Sequence, residues 1–292
     1  GRSHLRNRAS CGGATYADGG LPWWGWHQLP RDEEAQSLSI AFAEVATHNH
    51  FVVDRGAMAF KQTAPILKFG KSASELSVLG LMSLLNSSVC CFWLRHTSYP
   101  KDKTTEPWAT RHQFGSNKVL AIPVPANLPF DRGQRLACLG AGVVGELPAN
   151  VVARWLLAPD SDLEQLLSDA ETSWNSQRRQ LIFEQEELDW HVYRLYGVIE
   201  FDLTYPGSGI SELALGERSF EIDLACNLES SEDETEWFTR HRSAPITSVP
   251  PEWPEDYAEV VRRRREIIRS DRNIGLLERP EFKRRWVTSD FA

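Results

Sequence analysis

Short runs rich in apolar residues at 39–45, 51–53 and 65–69 read as three strands. Asp54-Arg55-Gly56 reads as the turn between the last two. At residue 75 the period changes: Leu76, Leu79 and Met82 recur at helical spacing up to Leu85, which predicts an amphipathic helix. Asn86 ends it, and Ser87 or Ser88 is placed to cap a second, shorter helix running to about His96. In that helix Val89, Cys91, Phe92 and Trp93 read as core. Residues 99–115 are polar, basic and loop-like, and 118–124 returns to a strand closed by Pro123 and Pro125. A longer helical pattern follows. Ser161-Asp162-Leu163-Glu164 has the form of a capping box, and apolar residues recur at Leu163, Leu167, Ala170, Trp174, Leu181, Leu188, Val192 and Leu195 before Gly197 supplies a stop. As one helix, 161–196 would reach about 50 Å at ~1.5 Å per residue; a break near Ser176 would give two. Residues 220–224 read as a strand and 229–236 as a solvated acidic loop. A last helix starts at Pro254, with Tyr257, Val260, Val261, Ile267 and Ile268 as its buried stripe. Arg262, Arg265, Arg269 and Arg272 fall at helical spacing, either paired to Glu259 and Glu266 or free for phosphate.

Composition narrows the class. At 292 residues the chain can bury a substantial core and hold two or three domains. Hydrophobic content of 41% and charge of 25% are those of a soluble globular protein. No apolar run reaches the ~18 residues that span a bilayer, and no secretory pattern opens the chain. Cys11, Cys90, Cys91, Cys138 and Cys226 include no Cys-x-x-Cys pair, which fits free thiols in a reducing cytoplasm and leaves structural zinc unexpected. The net charge of −8 hides an asymmetry: residues 1–125 carry 13 Lys and Arg against nine Asp and Glu, and 126–292 carry 19 against 31. Phosphate attraction needs only a local positive face, and the first segment is where the sequence places one.

Several short motifs invite chemistry. Gly140-Ala141-Gly142-Val143-Val144-Gly145 satisfies a dinucleotide fingerprint, with Asp160 or Asp162 roughly 20 residues on. That fingerprint works only where a strand leads in and a full helix leads out. Leu136-Ala137-Cys138-Leu139 is short for such a strand and Pro148 interrupts the helix, so the segment reads as a flexible connector. His48-Asn49-His50 has two histidines at i and i+2 without a third ligand, and His50 reads as bonded to backbone. Glu281-Phe282-Lys283 resembles the acid-x-Lys half of a restriction nuclease site without an acidic partner upstream. Asp189, Arg194 and Tyr196 sit badly for a joint active cluster on one helix and read as docking residues.

Three blocks carry a family likeness. The first runs from about residue 21 and includes His50-Phe51-Val52-Val53-Asp54-Arg55-Gly56, Phe60-Lys61-Gln62-Thr63-Ala64-Pro65, Leu84-Leu85-Asn86-Ser87-Ser88 and Ile122-Pro123-Val124-Pro125. The second is Gln185-Glu186-Glu187-Leu188-Asp189-Trp190-His191-Val192-Tyr193-Arg194-Leu195-Tyr196-Gly197; the third extends from Ser270 to Trp286. Together they resemble the target-recognition and C-terminal regions of adenine-specific DNA methyltransferases of the PglX type, from bacterial BREX phage-defence systems. The resemblance implies an α+β assembly: a flexible or foreign extension over 1–20, a target-recognition-like α/β domain over 21–125, a connector and long helical spacer over 126–200, and a mixed C-terminal α+β region over 201–292. It implies double-stranded DNA, the parent's catalytic domain and other phage-defence proteins as partners, with no membrane. Backbone contacts are then expected from Arg55, Lys61, Lys68, Lys101, Lys103 and Lys118. Base-edge readers are expected among Gln62, Arg95, Arg111 and Asn117, whose amide and guanidinium groups pair bidentately with purines.

The chemistry itself is not expected here. The family transfers a methyl group from S-adenosylmethionine to an extruded adenine, held by an Asn/Asp-Pro-Pro-aromatic loop. The one Pro-Pro pair, Pro250-Pro251, follows Val249 and precedes Glu252. With no Met at position 1, the chain reads as a C-terminal piece of a larger enzyme, holding no cofactor of its own. The competing expectation is a protein-interaction scaffold in the defence complex, with an oxidoreductase resting on the glycine run as a third.

Overall fold

The computed structural model describes residues 38–286 apart from 57, 59, 61, 62, 71, 160, 161 and 231–233, together with 4, 6, 7, 15–18, 20 and 22. Lys61, Gln62, Ser161 and most of the 1–37 segment lie outside the described residues. The architecture is α+β, with small antiparallel sheets set against helices. Ser39–Phe42 (β1) is buried along its whole length. It lies between Phe51–Asp54 (β3) and Ile66–Lys68 (β4), with Ile40 opposite both Val53 and Leu67. Val45–Ala46 (β2), Tyr99–Pro100 (β5) and His112–Gln113 (β6) form a second sheet in the order β2-β6-β5. Asp54-Arg55-Gly56 is therefore not a hairpin turn: β3 and β4 flank β1 and do not pair with each other. Gly56 is still needed there, at φ +87.

Glu75–Leu85 (α1) and Ser88–Thr97 (α2) form as the spacing predicts. Ser74 caps α1 by accepting the Ser77 N–H, and Ser87 caps α2 by accepting that of Cys90. The junction is tied to the sheet by two asparagines. The Asn86 carboxamide accepts the Phe51 N–H at 3.0 Å and donates to the Phe51 carbonyl at 2.9 Å; Asn49 donates to the Leu85 and Ser87 carbonyls. Buried backbone groups at the end of one helix and the start of the next thus find partners.

The middle of the chain departs from expectation. Residues 118–124 do not form a strand; Ser116–Leu120 (α3) is a short helix, with Val119 buried on the inside. The glycine run is no connector either, since Phe130–Gly145 (α4) is a continuous helix followed by Pro148–Leu157 (α5), which takes Pro148 in its first turn. Gly133 explains one of the glycines: a Cβ there would lie 2.7 Å from the Leu79 carbonyl, so α4 packs directly on the backbone of α1. At Gly140 a Cβ would meet nothing within 4 Å. We expect Gly140→Ala to raise stability by about 0.5–1 kcal/mol through helix propensity and Gly133→Ala to lower it. Urea denaturation of the two variants checks the opposite signs.

Leu163–Leu195 (α6) is one helix, capped by Asp162, whose carboxylate accepts the Glu164 N–H at 2.9 Å. It ends in a Schellman motif: Val198 donates to the Tyr193 carbonyl and Gly197, at φ +67, to that of Arg194. A spacer would stand clear of its neighbours, yet the C-terminal half of α6 is the axis of the core. Leu188 and Val192 join the cluster of Ile40, Phe51, Leu84 and Leu94; Ile182 and Phe183 join Tyr205, Leu213, Ile222 and Val261; Trp190 and Tyr193 join Ile199, Leu203, Ile274 and Leu277. A helix buried on every side needs partners on every side. They come from α2, α4 and α5, and from side chains of α1, Ser219–Ser230 (α7), Glu255–Ser270 (α9) and Arg272–Leu277 (α10); Trp237–His241 (α8) packs in a separate cluster with Trp108 and Phe220. Residues 220–224, expected as a strand, belong to α7. Pro254 sits at the N-cap of α9 and Arg272 falls on α10, which takes it out of the arginine row on α9.

Candidate nucleic-acid interface

Consecutive residues from Gln185 to Trp190 are all buried, three of them acidic. Each carboxylate has a cationic or backbone partner, as burial in low dielectric demands. Glu187 accepts from Arg264 at 2.6 Å and from the Tyr205 N–H at 2.7 Å. Glu186 accepts the Ser219 N–H at 3.2 Å. Asp189 accepts both the backbone and the hydroxyl of Ser88, and Lys283 at 3.0 Å. Lys283 also donates to Glu278 at 2.7 Å, and burial pushes the Glu278 carboxyl up although Lys283 opposes it. Arg218 forms a buried bidentate pair with Glu221 and donates to the Arg284 carbonyl at 2.7 Å. Asp189 therefore does dock elements together. Lys283, in the Glu281-Phe282-Lys283 motif, is an internal counter-ion and not a nuclease lysine.

This network fixes the stretch after Lys283, and with it a cleft of about 1100 Å³. Arg284, Arg285 and Trp286 form one wall. Trp174 and Arg178 from α6 and Arg240, His241 and Arg242 from the α8 end line the rest, with His50 beside them. Among the described residues, five arginines face a single lining carboxylate, Glu236. Arg242 is the left-handed C-cap of α8, at φ 51, its N–H closing on the Phe238 and Thr239 carbonyls. Among the described residues the Arg178 Nη2 is buried without a hydrogen-bond partner. Burial lowers the Arg178 guanidinium and Arg218 adds to the effect. Burial likewise lowers Arg285, with Arg95 and Arg240 reinforcing it and Cys91 opposing. Like charges are gathered here in a half-dry groove. An anion would relieve them.

The same field acts on histidines. Burial, then Arg284 and Arg285, holds the His50 imidazole down to about 4; burial, then His50, lowers fully buried His48 as well. Unfolding restores an ordinary imidazole, near ~6.5, so the unfolded chain binds protons that the folded one refuses. Stability should be full above about pH 6.5 and fall as pH drops toward 4, with His50 contributing on the order of 2 kcal/mol. Urea denaturation from pH 7.5 to 4.5 measures the slope, which His50→Gln should flatten in part.

The residues expected to contact DNA are placed differently. Arg95 must be withdrawn as a base reader: it is 8% exposed, and its guanidinium donates to the Thr47, Thr110 and Pro107 carbonyls, bracing the second sheet. Arg55 is exposed and paired with Glu75; Arg111 is exposed and paired with Asp102. Lys68, Lys101, Lys103 and Asn117 are exposed, and Lys118 is half-buried on α3. Lys101, Lys103 and Arg111 share a loop with Glu106, which accepts the Thr235 hydroxyl at 2.9 Å and so reaches the cleft rim. Of the arginine row on α9, Arg262 pairs with Glu255 and Glu259, while Arg269 pairs with Asp223, so these face carboxylates. The cleft arginines are not among the expected residues. The Lys283-Arg284-Arg285-Trp286 run, basic with an aromatic at its end, is the one local signal that could have pointed to them.

No cofactor turn is formed by the glycine run. Its glycines lie inside α4, and a Cβ at Gly142 would run into the Gln177 side-chain oxygen, so no strand-to-helix opening is offered to S-adenosylmethionine or a dinucleotide. Among the described residues no three His, Cys, Asp or Glu side chains group as a metal site, and no single helix is long and apolar enough to cross a membrane.

The chain is similar to known proteins over nearly all its length. It is 42% identical, over 301 aligned residues, to the adenine-specific methyltransferase PglX of Streptomyces coelicolor (strain ATCC BAA-471 / A3(2) / M145), covering 98% of this chain and 24% of that protein. The chain thus spans about a quarter of the length of the curated relative it matches, as a PglX-like region. A family model described as a domain of unknown function (DUF7008) matches residues 181–292, which contain most of the buried network and four of the five cleft arginines. No solved structure matches.

Proposed function

We propose that this region grips double-stranded DNA for an adenine-specific methyltransferase, and that the arginine-lined cleft is its main hold on the phosphate backbone. The observation that carries the reading is the convergence of Arg178, Arg240, Arg242, Arg284 and Arg285 on one groove with a single carboxylate among the described residues. Guanidinium groups match phosphate with a planar fork, and release of condensed counterions then drives association. Lys101, Lys103 and Lys118 add backbone contacts from the neighbouring loop and α3, while Arg111 and Asn117 stand as base-edge readers. The similarity to PglX supports a role beside a catalytic domain, and that domain, with S-adenosylmethionine, would supply the methyl transfer that marks host DNA in a BREX-type defence. The glycine run lies inside α4 and forms no strand-to-helix turn, and on this reading the part played by the described residues is binding and orientation.

Salt titration of DNA binding tests this. Replacing Arg240 and Arg242 with Ala, both exposed at the rim, should weaken binding to all sequences alike. The slope of log K against log salt should flatten by up to about 2, at ~0.9 for each phosphate no longer neutralised. An unchanged slope, with a clear loss of affinity instead in a Lys101→Ala, Lys103→Ala pair, would move the backbone contacts to the N-terminal half. No DNA binding at low salt would favour a scaffold role.

A further inference from the structure

Among the described residues β3 is the outer strand of its sheet and pairs with β1 alone. The Asn86 carboxamide takes the N–H and carbonyl of Phe51, so these groups point away from β1. Two residues on, strand alternation turns the N–H and carbonyl of Val53 the same way, and among the described residues neither has a partner. Natural sheets blunt such edges with lysine, proline or a covering segment; Phe51-Val52-Val53 carries neither of those residues. The edge opens on a groove of about 480 Å³ between β3, α1, α4 and α6. Val53, Leu79, Met82, Ala137 and Ala141 give it apolar walls, and Val52 and Val144 on its rim are each 55% exposed. Polar side chains share the lining. Asn86 is spent within the fold, since its oxygen also accepts from Arg284 at 3.0 Å. Gln185, 3% exposed, donates to the Asn86 carbonyl and to Asp189. Its Oε1 accepts nothing among the described residues and is not sealed from the groove. Arg55 adds a cation, with Nη1 left over from the exposed pair that its other nitrogens make with Glu75.

We propose that this groove receives an extended peptide segment that adds a strand to β3, supplied by the part of a larger PglX-like polypeptide outside this region. An added strand is the occupant that meets the edge. Its backbone both donates and accepts, as the Val53 carbonyl and N–H require, and a further N–H serves the Gln185 Oε1. A docked helix satisfies its own backbone and leaves the edge unpaired. Alternate side chains of the strand enter the apolar walls, and a carboxylate beside Arg55 matches its charge. Length gives the source: the chain covers 24% of its PglX relative, so most of such a polypeptide lies outside the elements that build the groove. A tethered segment needs little intrinsic affinity, because the tether keeps its local concentration high. This rests on the reading of the chain as one region of a PglX-like methyltransferase, and not on DNA binding by the cleft.

The probes are overlapping synthetic peptides that tile the part of Streptomyces coelicolor PglX outside the stretch similar to this chain, titrated singly onto the whole chain. One contiguous run of them should bind, and its sequence should alternate apolar and polar residues with an Asp or Glu at one end. On binding, exchange of the Val53 amide with solvent should slow by about tenfold or more, read by NMR of the labelled chain. Gly140→Met should abolish binding: Gly140 lines the groove, and a Cβ there meets nothing within 4 Å, so the longer side chain fills the space from an unstrained helical position. Val144→Gln, on the exposed rim, is the second variant and should weaken the same peptides. No binding peptide, binding that survives both variants, or a bound peptide that leaves Val53 exchange as it was overturns the proposal. So does self-association of the chain that either variant abolishes, which gives the edge to a second copy. None of these readouts involves DNA, so the cleft reading and this one stand or fall separately.

Discussion

Lys283→Met should lower the folding free energy by about 3–5 kcal/mol, the usual cost of removing one partner from a buried ionic pair. The lysine is 1% exposed and stands between Asp189 and Glu278. Methionine replaces the stem but leaves two carboxylates facing each other in the core. Burial already pushes the Glu278 carboxyl above its ordinary value in the intact chain, and Lys283 is what opposes that push. In the variant a buried carboxyl would take up a proton more readily than it does unfolded, where it titrates near ~4.3. The deficit should therefore be largest at neutral pH and shrink as pH falls through the raised value toward 4.3. Urea unfolding of both proteins at pH 7.5 and pH 5 reads it directly, since the histidine contribution is common to both and cancels. A difference below 1 kcal/mol at pH 7.5 would show that the network does not lock the fold.

A comparable loss is expected at Trp237, which is fully buried and stacks edge-on against both Trp108 and Phe220. Trp237→Ala should cost about 3–5 kcal/mol by leaving a cavity. Its indole N–H also donates to Glu221 at 3.0 Å. Burial by itself would raise the Glu221 carboxyl, but Arg218 more than offsets this and Trp237 adds to the stabilisation, so the group is held below its usual value. Trp237→Phe keeps most of the packing and removes that donor, so about 1–3 kcal/mol should remain of the loss. Thermal unfolding of the two variants separates packing from hydrogen bonding; equal losses would assign the whole effect to the N–H.

The elements that were legible in the sequence are those whose ends are written locally. Asn86 and Ser87 mark the α1–α2 junction, and Gly197 marks the end of α6. The misread elements fail for physical reasons that no local pattern carries. In α7, Phe220, Glu221, Ile222 and Asp223 look like a two-residue alternation, but all four are buried, because Arg218 pairs with Glu221 and Arg269 with Asp223. A charged residue with a buried partner no longer marks a solvent face. In α4 the glycines at 140, 142 and 145 suggested a connector, whereas they lie within a continuous helix that Gly133, outside that run, lets pack closely on α1.

The site was harder to see than the fold. Arg178, Arg240, Arg242, Arg284 and Arg285 come from three separate stretches of a segment whose net charge is negative, so neither motif nor charge balance points to them. Many acids of that segment are consumed by internal pairs, among them Glu187 with Arg264 and Asp189 with Lys283. What remains at the cleft is positive. Arg95 shows the reverse error: a cation in the basic half that serves the backbone around it.

The bond from Ser88 to Asp189 spans 101 positions of sequence, and Lys283 closes on the same carboxylate from 94 positions beyond it. Its consequence concerns the exchange of parts between relatives. A hybrid that takes 38–125 from one parent and the remainder from another inherits the serine and its acceptor from different sources. Such a graft should succeed only where the donors agree at 88, 189 and 283, whatever their likeness elsewhere. On the proposed DNA-binding reading, a change of sequence preference would be sought in the loop that carries Lys101 to Arg111, while the inherited joint stays untouched.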